Sequence, residues 1–157
     1  MSEVAIVLHN IRSAHNVGSI FRTADAAGTQ KIYLTGYTPL PSDHFGRVQK
    51  DIAKTALGAE LFVSWEHRFS PSALLRTLKK EGWCVIGVEQ DAGASDFRTA
   101  LYPPKCAFLF GNEVRGLSRP LRALCDELVE IPMRGKKESL NVAVAVGIIL
   151  FGSMERA

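Results

Sequence analysis

Cysteine is scarce in this chain, aromatic residues are few, and no apolar run is long. The three cysteines, Cys84, Cys106 and Cys125, are odd in number, widely spaced and contain no C-x-x-C pair. That pattern excludes a disulfide framework and a zinc cluster, and it suits buried thiols in a reducing, cytoplasmic setting. His9, His15, His44 and His67 form no ligand-spaced set, so no metal is expected. The longest apolar stretch, Val142–Phe151, is far short of the about 18–20 residues that span a bilayer. Residues 1–10 show neither the basic start nor the cleavage site of a secretory leader. Charge of one sign is not in large excess either. Nineteen Lys and Arg against sixteen Asp and Glu leave +3, which permits a nucleic-acid partner without demanding one. What is present is 157 residues with 46% apolar content. That is enough for one self-sufficient core, so a single domain over residues 1–157 is expected.

Short runs rich in β-branched residues recur six times, at Val4–Leu8, Lys31–Leu34, Leu61–Ser64, Cys84–Glu89, Ala107–Phe110 and Leu128–Ile131. Segments with helical spacing separate most of them. Asn16–Ala27 carries Val17, Ile20, Phe21 and Ala24 on one face, with Gly28 as a stop. Ser70–Pro71 opens a second helix with Leu74, Leu75 and Leu78, which ends near Gly82. Ser118 caps a short one with Leu121 and Leu124. Such alternation predicts an α/β fold with a mainly parallel six-stranded sheet and helices on both faces. The last helix, Leu140–Phe151, is apolar all round and must be covered on every side. Its covering is either the monomer's own core or a second copy in a homodimer.

Polar and glycine residues gather after strand ends, where open parallel sheets bind ligands. The first cluster runs from Asn10 to Thr23. There Asn16 is placed to cap a helix whose exposed N–H groups suit an anion, and Arg22 sits between the apolar Phe21 and Ala24. Arg22 either pairs with a carboxylate at the core edge or serves a ligand. The second cluster spans Phe108–Ser118. Gly111 permits close backbone approach and Gly116 a positive φ, while Glu113 beside Arg115 either orients a ligand or holds the loop. The third spans Ile131–Asn141, a basic loop in which Ser139 is placed to cap the final helix. Asn141 is a lone amide at the mouth of that helix. Arg47, Lys50 and Lys54 are spaced as a basic helix face.

Together, N-x-R-S-x-x-N-x-G-S-I-x-R-T, F-G-N-E-x-R-G-L-S and I-P-M-R-G-x-x-E-S-L-N-V-x-V-A resemble the three motifs of the SpoU (TrmH-type) RNA ribose methyltransferases of the SPOUT superfamily. The motifs are in order and cover nearly the whole chain. Val114 departs from the pattern, where the family often has glycine, which bears on loop shape. The resemblance implies methyl transfer from S-adenosylmethionine to a ribose 2′-hydroxyl of RNA. It also implies a trefoil knot in the C-terminal third and a homodimer with composite active sites. It makes Arg22 the catalytic arginine and Asn16 the residue that positions it and the RNA. Glu113 matches the motif-two glutamate, and Ser139 and Asn141 match the polar pair of motif three. The cofactor is expected among Gly111, Ile131, Met133, Ser139 and Leu140, with Val88 and Glu89 beside it.

Arg22 as a base is chemically awkward, because a guanidinium hardly deprotonates in a protein. Either an RNA phosphate assists it, or it stays charged and stabilises the developing alkoxide. Arg12, Arg47, Lys50, Lys54, Arg115 and Arg134 are the expected phosphate contacts. The short chain leaves no room for a separate RNA-recognition domain, which fits tRNA slightly better than rRNA. Two rival readings stand beside the enzyme. One is a non-catalytic RNA-binding module on the same fold. The other is a Rossmann-type nucleotide enzyme, weakened by the absent glycine fingerprint.

Overall fold

A computed structural model describes residues 2–154. Met1 and residues 155–157, which the expected domain includes, lie outside the described residues. The order of elements is β1 (Glu3–His9), α1 (Ala14–Ala26), β2 (Lys31–Thr35), α2 (Lys50–Ala56), β3 (Ser64–Arg68), α3 (Pro71–Lys80), β4 (Cys84–Val88), β5 (Ser95–Asp96), β6 (Lys105–Phe110), α4 (Arg119–Leu124), β7 (Glu127–Glu130) and α5 (Val142–Met154). The strands form one sheet in the order β3-β2-β1-β6-β4-β7-β5, and every pairing is parallel. The sheet has seven strands where six were expected. The seventh, β5, is a two-residue edge segment held by Phe97 N–H on the Glu130 carbonyl, too short to leave a periodic signal.

Alternation along the central strands builds two cores. Ile6 and Leu8 of β1 pack with Ile20, Phe21, Ile52, Val146 and Ile149 from α1, α2 and α5. Ala5 and Val7 of the same strand face Leu74, Leu75, Leu78 and Leu121 from α3 and α4. Burial on both faces is why these strands read as continuous apolar runs. β3 differs. The apolar Leu61–Ser64 was expected as the strand, yet Leu61 and Phe62 are 80% and 77% exposed and Ala59–Leu61 is a 3-10 turn. The strand follows at Ser64–Arg68, where an edge with one neighbour tolerates charge. There Lys31 Nζ meets Glu66 Oε2 at 2.6 Å, and that contact holds the Glu66 carboxyl below its ordinary range.

Helix starts also differ from expectation in detail. Ser13, not Asn16, caps α1, its hydroxyl accepting the Asn16 N–H at 3.1 Å. At α5 the cap is Asn141 rather than Ser139: its Oδ1 accepts the N–H of Ala143 at 2.8 Å and of Val144 at 3.4 Å. Ser70 caps α3 as read, accepting from Ala73 N–H. Arg47 lies outside α2, so Lys50 and Lys54 alone carry that helix's basic face. The apolar α5 buries Val142, Val146, Ile149 and Leu150, but leaves Val144 and Phe151 about half exposed, at 51% and 48%.

Candidate active site at the carboxyl edge of the sheet

Because all strands run parallel, the turns after β1, β2, β4, β6 and β7 emerge at one edge. A cavity of about 340 Å³ opens there between the ends of β4, β6 and β7. Val88 and Glu89 line it from β4, Phe110 to Val114 and Gly116 from the turn after β6, and Glu130, Ile131 and Met133 from the end of β7. Glu138, Ser139, Leu140, Val142 and Ala145 close it from the loop into α5. All seven residues expected around a cofactor therefore border one cavity, and Glu113 joins them. Gln90, Glu130, Glu138 and Ala145 were not singled out from sequence. Gln90 Nε2 donates to the Ile131 carbonyl at 2.9 Å, tying the β4 turn to the β7 turn.

The turn after β6 is fixed by side chains. Asn112 is buried and fully partnered. Its Oδ1 accepts the N–H of Val114 and of Arg115, each at 2.9 Å. Its Nδ2 donates to the Asn10 carbonyl at 2.9 Å and to Tyr37 Oη at 2.8 Å. Gly116 closes the turn with φ +64, and a Cβ there would collide with the Glu89 carboxylate. Gly111 is needed for a different reason: its Cβ would lie 2.6 Å from the Gly116 backbone, so two glycines let the turn fold onto itself. Glu89 in turn accepts the N–H of Leu117 and of Gln90.

Glu113 makes no ion pair with Arg115. Its carboxylate instead accepts the Arg12 N–H at 3.1 Å and the Ser13 N–H at 3.3 Å, fastening motif two to the start of α1. A carboxylate at that end of a helix is favourable for the dipole as well. Asn141 reaches the same helix from the other side, with Nδ2 donating to Asn16 Oδ1 at 3.1 Å. Asn112 and Tyr37, which complete this junction, carry no spacing signal in the sequence.

Arg22, Asn16 and Asn141 are not on the cavity wall. Arg22 is exposed on α1, and among the described residues it forms no hydrogen bond or ion pair. The alternative reading of Arg22, a pairing with a core-edge carboxylate, is thus absent from the described residues. Arg12, Arg47, Lys50, Lys54, Arg115 and Arg134 are all exposed. No cluster of metal-binding side chains occurs among the described residues, and no helix in them is long and apolar enough to cross a membrane.

Comparison with known proteins adds the lineage of this arrangement. The model of the SpoU rRNA Methylase family matches residues 3–151. A 23S rRNA (guanosine-2′-O-)-methyltransferase from Neisseria meningitidis serogroup B is 35% identical over 145 residues, 92% of this chain and 55% of that protein. The chain therefore spans little more than half the length of such curated relatives. The AdoMet-bound rRNA methyltransferase from Sinorhizobium meliloti superposes with a TM-score of 0.88 at 30% identity, covering 99% of this chain and 57% of that one. A structure concerned with 2-OH methylation of C/U34 on tRNA gives 0.84 at 27% identity, over 99% of this chain and 96% of the other.

Proposed function

This chain belongs to the SpoU rRNA methylase family, and from that premise we propose that it transfers a methyl group from S-adenosylmethionine to a ribose 2′-hydroxyl of RNA. The observation that carries the reading is the cavity at the carboxyl edge, where the turns of motifs two and three and the end of β4 converge. Its volume of about 340 Å³ falls in the range of small-molecule sites. Val88, Phe110, Ile131, Met133 and Leu140 offer apolar walls for an adenine, and the glycine-tight turn brings backbone groups to the surface. Glu130 and Glu138 supply negative charge, which suits a cationic sulfonium and ammonium. The residues fit the cofactor.

When bound, S-adenosylmethionine supplies a methyl group already activated on a positively charged sulfur. The chain's task is then to align the hydroxyl and to manage its proton. Arg22 remains a guanidinium and stabilises the charge that grows on the ribose oxygen. The hydroxyl proton would leave to a neighbouring phosphate oxygen or to water as the methyl group is taken up. Arg22 lies off its own cavity, on the helix that packs against α5. We place it in the site of a second copy, which docks on the uncovered Val144–Phe151 face of α5 and makes the active sites composite. The trefoil knot belongs to the same proposal. It is supported by the passage of the chain from β7 through residues 131–141, which share the cavity with the turns after β4 and β6. So does a cytoplasmic setting, which the free thiols of Cys84, Cys106 and Cys125 suit.

Compactness alone favoured tRNA slightly. The curated relatives are named for 23S rRNA, so rRNA is the first substrate and tRNA the second arm of the test. Labelled methyl transfer to separated rRNA and tRNA, with wild type and Arg22→Ala side by side, is expected to label rRNA. In the variant, transfer should drop by about 100-fold or more with cofactor affinity intact. Cofactor binding without label in either pool would overturn the catalytic reading.

A further inference from the structure

We infer that the turn between β2 and α2 is a stacking platform for an unpaired base of the RNA substrate, an inference that rests on the RNA reading above. The turn is a built structure. Ser42 and Val48 form an antiparallel bridge, Gln49 N–H binds the Pro41 carbonyl at 2.9 Å, and Gly46 at φ +79 makes the reversal. Asp43 holds the tip from inside. Its Oδ1 accepts the N–H groups of Phe45 and Arg47 at 2.9 Å each, and its Oδ2 takes Arg47 Nε at 2.7 Å.

These bonds display three flat groups together. The His44 and Phe45 rings have centroids 3.9 Å apart, and the Arg47 guanidinium lies 5.0 Å from the Phe45 centroid. Among the described residues nothing covers them: Phe45 is 70% exposed and the Arg47 side chain 74%. An exposed phenylalanine on its own is ordinary. A hydrogen-bonded tip that sets one against a histidine ring tilted by 40° and a guanidinium, near the cations Lys50 and Lys54, has the chemistry of a sequence-tolerant base contact. Every base offers a π-face, and cations track its phosphates.

Placement agrees. The turn leaves the carboxyl end of β2, the same sheet edge as the cavity. At its root Tyr37 touches Asn112 of the turn after β6, and its N–H binds Asn10 Oδ1 at 3.0 Å. Beyond it, Asp51 of α2 meets His15 at 3.3 Å. The root of the turn thus adjoins the turn after β6 that lines the cavity, which puts the tip on the side of the molecule where the proposed RNA would bind.

The test is equilibrium binding of the whole protein to two labelled probes of about ten units, a mixed-sequence single-stranded RNA and an abasic ribose-phosphate strand. Phe45→Ala is expected to weaken RNA binding by about tenfold or more, leave the abasic probe unchanged and keep the thermal midpoint. Phe45→Trp is expected to restore RNA affinity. Equal RNA affinity in wild type and Phe45→Ala, or equal losses on both probes, would overturn the platform. Wild-type methyl transfer to rRNA keeps the two readings apart. Transfer with no effect of Phe45→Ala on affinity sinks only the platform. No transfer, with the Phe45 effect intact, sinks only the methyltransferase.

Discussion

Glu113 shows how a residue can be conspicuous in a motif and still have its role hidden. The sequence placed it in a turn beside Arg115, but its partners are the N–H groups of Arg12 and Ser13, the former 101 positions away. No spacing rule reaches that far. Removing the carboxylate leaves two partly solvated backbone donors to water, so Glu113→Ala is expected to lose about 0.5–1.5 kcal/mol. At this chain length that lowers the melting midpoint by about 2–5 °C, readable by circular dichroism. Asn141 was legible as an amide needing partners, and it has them in the α5 cap and Asn16. The role of Asn112 was not legible, because its amide is satisfied only when the distant Asn10 and Tyr37 segments meet its own turn. The cysteines were simpler: scarcity and spacing predicted free thiols, and burial pushes Cys106 and Cys125 up to about 12 from an ordinary 9. Raised values mean that their contribution to stability is whole below pH 9. It declines as the pH climbs toward 12, where the unfolded chain ionises first. Cys106→Ala should flatten the fall in melting midpoint across that window, and an unchanged slope would contradict the assignment.

Among elements, those buried on two faces were legible and those at edges were not. β1, β4 and β6 announce themselves because both of their faces are dry. β3 carries Glu66, His67 and Arg68 and is recognisable only from its pairing with β2, so apolarity pointed to the exposed Leu61 and Phe62 instead. Helix starts shifted by two or three positions, because several Ser and Asn side chains compete for each cap and only geometry selects one. The final helix was legible as an element with too much apolar surface. Phe151→Asp places a charge on its uncovered face while leaving the buried Val146, Ile149 and Leu150 untouched. The expected result by light scattering is a fall from twice the chain mass to once the chain mass with an unchanged far-ultraviolet spectrum. A variant that keeps the mass of the wild type would exclude α5 as the seam.

At the scale of the whole molecule, an all-parallel sheet sends every motif to one edge, which is why three clusters far apart in sequence share one site. The exposed cations Arg12, Lys50, Lys54, Arg115 and Arg134 are carried by segments at or beside that edge. RNA affinity should therefore fall steeply with salt, by roughly 0.7 in logarithmic slope for each phosphate engaged on a single strand. Replacing Lys50 and Lys54 together by Gln should reduce that slope by about 1.4, two phosphate contacts' worth, without changing cofactor affinity. A slope equal to that of the wild type would remove α2 from the RNA path.

The bond from Glu113 to the first turn of α1 joins the wall of the small-molecule cavity to the helix that bears Arg22. A ligand that ordered the turn after β6 would thereby hold the Glu113 acceptor against the helix start as well. For the proposed reaction, thermodynamic reciprocity sets one rule: the factor by which RNA would change cofactor affinity equals the factor by which the cofactor would change RNA affinity. Cutting the latch in Glu113→Ala draws both factors toward one together, and titrating either ligand in the presence of the other reads the same number.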